Sequence, residues 1–288
     1  MRVRLTVLIP AVAVATALTA CGGGGVKKAD FVAKADGACT TGNSAISGVA
    51  KPSNAPQVAA AAGTATTTID GQVASLRSMK MPGGADKKTI DGIIVAIGDV
   101  SGPTKALQDA ATKNDEQGMA VAGAELSKKA DAAATQAQGY GLAQCGTGLK
   151  PALGTLMTGT RDVLKASYVT RGEAACRDTE KKTNALPEPG ASLPSLGRYL
   201  DSYVPLVSKL VSDLQGLPTP PGDEATIGDL HGSLDALVAK IKEIGAAAKA
   251  NNPRLLAALF EEANLASTQV NAKFDAYGLK ACGSLSNI

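Results

Sequence analysis

The sequence predicts an all-α fold of two tandem up-down four-helix bundles, related by internal duplication and each closed by a disulfide. Three observations carry that expectation. Cys39 and Cys145 are 106 residues apart, and so are Cys176 and Cys282. Sliding the chain along itself by 137 residues lays "KADFVAKADGAC" from Lys28 on "KASYVTRGEAAC" from Lys165, pairing Phe31 with Tyr168, Lys34 with Arg171 and Asp36 with Glu173. The same slide lays "YGLAQCG" from Tyr140 on "YGLKACG" from Tyr277. Independently of the cysteines, Ile227, Leu230, Leu234, Leu237, Ile241 and Ile244 advance by alternating threes and fours, the rhythm of a helix with one apolar seam. Ile90, Ile93, Ile97, Val100, Thr104 and Leu107 repeat that rhythm 137 positions earlier.

Clusters of Pro, Gly, Asn and Asp mark where the helices end. In the first module helices are expected over 28–50, 56–79, 86–112 and 115–139, broken at "KPSNAP", "KMPGGA" and "KND". In the second they are expected over 165–186, 194–215, 223–250 and 253–276, broken at "PEPGASLP", "GLPTPPGD" and "NNP". Short loops between long helices make sequence neighbours antiparallel. "LRSMKMPGGAD" from Leu76 resembles "LQGLPTPPGDE" from Leu214 at an offset of 138, so one residue has been inserted and later removed. Pro103 removes a backbone donor in mid-helix and should kink the third helix of the first module. Thr104 interrupts the same seam, so the second module is expected to be the more stable. The modules are read as 27–146 and 164–284. Residues 147–163, "TGLKPALGTLMTGTRDV", hold three glycines and a proline and read as a linker with at most a short helical turn.

A cysteine early in a first helix and one just after an antiparallel fourth come near each other. Four cysteines allow three pairings, and the repeat selects Cys39 with Cys145 and Cys176 with Cys282. Such bonds persist in an oxidising compartment. Closing a loop of about 100 residues contributes ~4.7 kcal/mol in the chain-entropy picture. Four thiols binding a metal is the weaker reading, because none forms a C-x-x-C pair.

The N-terminus supplies the compartment. Arg2 and Arg4 precede an uncharged run from Leu5 to Ala20 that ends in small residues, as in a secretory leader. The run is short of the roughly 20 residues that span a bilayer, and Pro10 interrupts it. Leu18-Thr19-Ala20-Cys21 resembles the lipobox of bacterial lipoproteins, in which the cysteine is diacylglycerylated and the bond before it is cut. The resemblance implies a signal peptide over 1–20, with Cys21 as lipidated first residue of a tether over 21–26. Gly22 to Gly25 suit such a tether, having no side chains to pack. Two acyl chains give stable anchoring, so membrane lipid is the first expected partner. The protein is then expected on the extracytoplasmic face of the cell membrane.

Composition narrows the function classes. The chain has 29 basic and 26 acidic residues, and removing Arg2 and Arg4 leaves the mature chain near neutrality. With no Trp, 5 Tyr and 3 Phe it offers neither the basic stripe nor the stacking platforms of a nucleic-acid binder. His231 is the only histidine, so the paired Glu-x-x-His elements of a di-iron bundle cannot be built. No G-x-S-x-G elbow presents a nucleophile, and no P-loop or dinucleotide fingerprint occurs. Asp115-Glu116 and Asp223-Glu224 stand at helix starts, where capping and dipole compensation explain them. No catalytic residue, metal or cofactor is expected.

Tyr199 and Tyr203, one helical turn apart, read chiefly as core residues with hydroxyls at the rim and secondarily as a contact for a partner. Tyr140 and Tyr277 are expected to pack over the disulfides. His231, beside the seam residue Leu230, reads as solvated or packed.

The opening F/Y-V-x-x-A/G-D/E-x-x-C at Phe31 and Tyr168, the hairpin L-x-x-(L/M)-x-x-P at Leu76 and Leu214, and the late cysteine resemble uncharacterised helical lipoproteins and small secreted proteins of actinobacteria. The resemblance covers both modules and implies no activity, since that group brings no catalytic residues to carry over. Two functions follow as expectations. The favoured one is a non-catalytic envelope lipoprotein that binds a protein or wall component through helix faces. The other is a carrier or sensor of a small apolar ligand lodged within a bundle. Ala and Gly at facing positions let helices approach closely, which leans against a cavity.

Overall fold

A computed structural model describes residues 26–283, and the expected leader, Cys21 and the tether through Gly25 lie outside them. The fold is all-α, with no strand among the described residues. The first half holds α1 (Lys28–Ser47), α2 (Ala55–Ser78), α3 (Ala85–Gly98), α4 (Ser101–Thr112), α5 (Glu116–Tyr140) and the short α6 (Ala143–Thr147). Then come α7 (Leu149–Asn184), α8 (Leu193–Gln215), α9 (Glu224–Lys249), α10 (Pro253–Tyr277) and the short α11 (Lys280–Gly283). None of these helices is long and apolar enough to cross a membrane.

Local chemistry sets the boundaries. Side chains of Asn54, Asp115, Ser192 and Asn252 accept hydrogen bonds from backbone N–H groups in the first turns of α2, α5, α8 and α10. Gly141 and Gly278, 137 positions apart, end α5 and α10 in the left-handed region at φ 101° and 104°. Glycine pays little for that conformation. All twelve seam residues are buried. At the expected kink by Pro103 the helical ladder is interrupted over Asp99 and Val100, which keep αR backbone angles: α3 stops at Gly98 and α4 starts at Ser101, because the proline ring crowds the carbonyl of Asp99 and offers no N–H to it. Thr104 is buried within the seam because its hydroxyl donates to the Val100 carbonyl at 2.7 Å. The corresponding α9 runs unbroken for 26 residues.

The expected linker at 147–163 is instead helix, the first half of the 36-residue α7. Pro151 falls in its first turn, where an N–H would have no intrahelical partner. Leu149, Ala152, Leu153, Leu156, Gly159, Thr160 and Leu164 are buried at helical spacing. Gly159 is there for closeness: a Cβ on it would lie 2.4 Å from Cδ and 2.8 Å from N and O of Pro52. One apolar cluster runs from Phe31 to Leu164 and a second from Tyr168 to Cys282, so the boundary between cores falls inside α7.

Each core is closed by the expected bond, Cys39 to Cys145 and Cys176 to Cys282. A carboxylate at equivalent places holds each closing segment. Asp36 accepts from the backbone N–H groups of Ala143, Gln144 and Cys145, and Glu173 accepts from that of Ala281 at 2.7 Å. The halves meet where Glu116 of α5 pairs with Arg171 of α7 at 2.8 Å and where Gly123 faces Pro221.

Candidate functional site

Two places in the second half gather side chains of functional interest. The first is a polar network around the only histidine. His231 Nε2 and the Tyr168 hydroxyl share a hydrogen bond of 2.9 Å. Tyr168 meets the Tyr277 ring edge-on at 5.6 Å between centroids, and the Tyr277 hydroxyl donates to Asp223 Oδ2 at 2.9 Å. Lys165 Nζ stands 4.5 Å from the Tyr277 ring centre, as Lys28 stands 4.0 Å from that of Tyr140. Arg161 balances Asp223 at 3.7 Å. Asp223 was expected as a capping residue of α9, but its side chain caps nothing there and serves Tyr277 instead.

Burial pushes the Tyr168 phenol up to about 12 and the Tyr277 phenol further, with the bond to Asp223 acting in the same direction. Burial also holds His231 below its usual value, opposed by the charge of Asp235. Two separate hydrogen bonds, Tyr168 with His231 and Tyr277 to Asp223, are thus joined through the contact of the two tyrosine rings. Among the described residues no three His, Cys, Asp or Glu side chains are placed to hold a metal.

The second place is an apolar cavity of about 310 Å³ between α8, α9 and α10. Its floor is the α9 seam, Leu237, Ile241 and Ile244, with Leu200 of α8 and Ala263 of α10 as further buried walls. Its mouth is formed by half-buried Leu196, Tyr199, Phe260 and Ser267 with exposed Pro189 and Asn264. Of the two tyrosines singled out from sequence, Tyr203 is core and its phenol is pushed up to about 12 by burial, whereas Tyr199 lines the mouth. Their rings stack 6.0 Å apart at 26°. Deeper along α9 a void of about 30 Å³ shares Leu237 and Ile241 with the cavity.

The repeat shows why this cavity has no counterpart at the equivalent place in the first half. At offsets of 137 to 138 the mouth residues Pro189, Leu196, Tyr199, Phe260 and Ser267 correspond to Pro52, Val58, Ala61, Gly123 and Ala130. All five of those are buried. The first half of α7 lies over that region, with Gly159 against Pro52, Thr160 by Gly123, Lys150 paired to Asp131 at 2.6 Å and Asp162 to Lys51 at 2.5 Å. No described helix covers the corresponding mouth in the second half. Close approach through Ala and Gly, which leaned against a cavity, fills the equivalent place in the first half but not this one. In the second half Tyr199 and Phe260 stand where the first has alanine and glycine. Phe260 carried no signal by itself, but the exchange of Gly123 for Phe260 across the repeat points to it.

No protein-family model, curated protein or solved structure matches the chain.

Proposed function

We propose that this protein is a lipid-anchored, extracytoplasmic binding protein that holds a small apolar ligand in its second half, as a carrier or sensor without catalytic activity. The cavity between α8, α9 and α10 carries this reading. About 310 Å³ is at the lower end of the volumes that small ligands occupy, and a mostly apolar wall with a few polar groups at the mouth is the usual form of such sites. The lipobox-like sequence ending at Cys21 supports the anchor. The alternative is binding of an envelope protein or wall component through helix faces.

The test uses full-length protein and the uncharged fluorescent probe N-phenyl-1-naphthylamine. Saturable binding with one site per chain is expected, weakened at least tenfold by Ala263→Phe, which fills the chamber, with helicity and disulfides intact by circular dichroism and peptide mapping. Absence of saturable binding to the native chain, or binding indifferent to Ala263→Phe, would refute the site. Cys21→Ala tests the anchor separately, with loss of lipidated mature protein from the membrane fraction as the expected result.

A further inference from the structure

Resting on that reading, we infer that the ligand is a compact, uncharged ring compound with one hydrogen-bonding group, held between Tyr199 and Phe260 with its polar group at Asn264. Three features of the cavity set this class. The first is charge: no Asp, Glu, Lys, Arg or His lines the chamber. An ion placed against Leu237, Ile241 and Ile244 would lose its hydration with no counter-charge to replace it.

The second is shape. Along α9 the chamber runs from Leu237 to Ile244, about 10 Å at 1.5 Å per residue. Its 310 Å³ over that length leaves roughly 30 Å² of cross-section, wider than a single hydrocarbon chain. Beyond it the void of about 30 Å³ holds no more than a water molecule, so a long chain has nowhere to continue. Two aromatic rings in the lining, Tyr199 on α8 and Phe260 on α10, favour a flat ligand face. Stacking on Tyr203 fixes the orientation of Tyr199 before any ligand arrives.

The third is the distribution of polar groups. The only side-chain polar groups on the lining are those of Tyr199, Asn264 and Ser267, all toward the mouth. Among the described residues the Asn264 amide has no hydrogen-bond partner, so it is free to donate to or accept from a hydroxyl or carbonyl group.

Four probes of defined chemistry, measured by calorimetry on the full chain, test the inference: 2-naphthol, naphthalene, 2-naphthoate and dodecanol. 2-Naphthol should bind at least tenfold tighter than 2-naphthoate and dodecanol, and several-fold tighter than naphthalene. Asn264→Leu should erase the preference for 2-naphthol over naphthalene, read as the ratio of the two affinities in the same variant. Tighter binding of dodecanol or 2-naphthoate overturns the ligand class, and a preference that survives Asn264→Leu overturns the role of Asn264. In either case binding of N-phenyl-1-naphthylamine that Ala263→Phe weakens leaves the cavity reading standing. Failure of that probe along with all four removes the site itself.

Discussion

His231 is half-buried on α9, where its imidazole shares a hydrogen bond with Tyr168 and faces the carboxylate of Asp235. Burial disfavours the imidazolium more than Asp235 favours it, so the folded-state pKa lies below the ordinary value of 6.5. The sign follows from proton counting: as pH falls through about 6.5 the unfolded chain takes up a proton that the folded chain resists. Stability from this residue is therefore complete above the ordinary value and is lost as pH falls toward the depressed one. The melting temperature of the native chain should drop further between pH 7.5 and 5.0 than that of His231→Leu, since other titrating groups act on both alike. Equal drops would show that the imidazole is uncoupled from folding. The repeat pairs His231 with Ile94, a buried apolar residue, so this coupling belongs to the second half alone.

Among the elements, α7 decides how the halves are built. Its first half seals the first core, its second half carries Cys176, and no loop intervenes. Close contact between its backbone and Pro52 makes Gly159 the sensitive position. Gly159→Leu should cost at least about 2 kcal/mol by overpacking, whereas Gly154→Ala, with no heavy atom within 4 Å of its new Cβ, should be neutral or gain about 0.5–1 kcal/mol. Urea unfolding measures both, and a tolerated Gly159→Leu would mean that α7 does not rest on Pro52.

The same helix shows where the sequence could be read and where it could not. Caps, prolines and loop glycines act on their own neighbours, so the ends of α2, α5, α8 and α10 fall within two residues of expectation. Local composition misleads at 147–163, because Pro151 and three glycines signal a loop while the apolar spacing from Leu149 to Leu164 signals a helix. Which signal wins depends on Pro52 and Asp131, residues distant in sequence. The cavity is illegible for a related reason: it lies where no described helix covers α8, α9 and α10, and no residue of its lining announces that. Tyr199 was visible as one of a pair, but its place at a mouth depends on Phe260, sixty-one positions later.

At the scale of the whole molecule, two cores of different quality share one helix. Both are cross-linked over equal spans, so differences between them arise from packing. The first is rich in alanine and is sealed by α7, but its third helix is broken at Pro103. The second has larger side chains and an unbroken α9, but it holds a cavity. The broken α3–α4 pair suggests that residues 164–283 alone should outlast residues 27–146. That comparison leaves out the seal, because 27–146 lacks the segment that buries Leu149, Leu153 and Leu156. Each of those leucines contributes about 1.5–3 kcal/mol on full burial, offset in part by the entropy of ordering the added residues. Extending the first fragment to residue 163 should therefore raise its melting temperature by several degrees, at roughly 3–5 °C for each kcal/mol in a domain between the small and large size classes. Melts of oxidised 27–146 and 27–163 decide the matter. Equal melting temperatures would show that 147–163 is the linker its glycines suggest, and that the first core closes without α7.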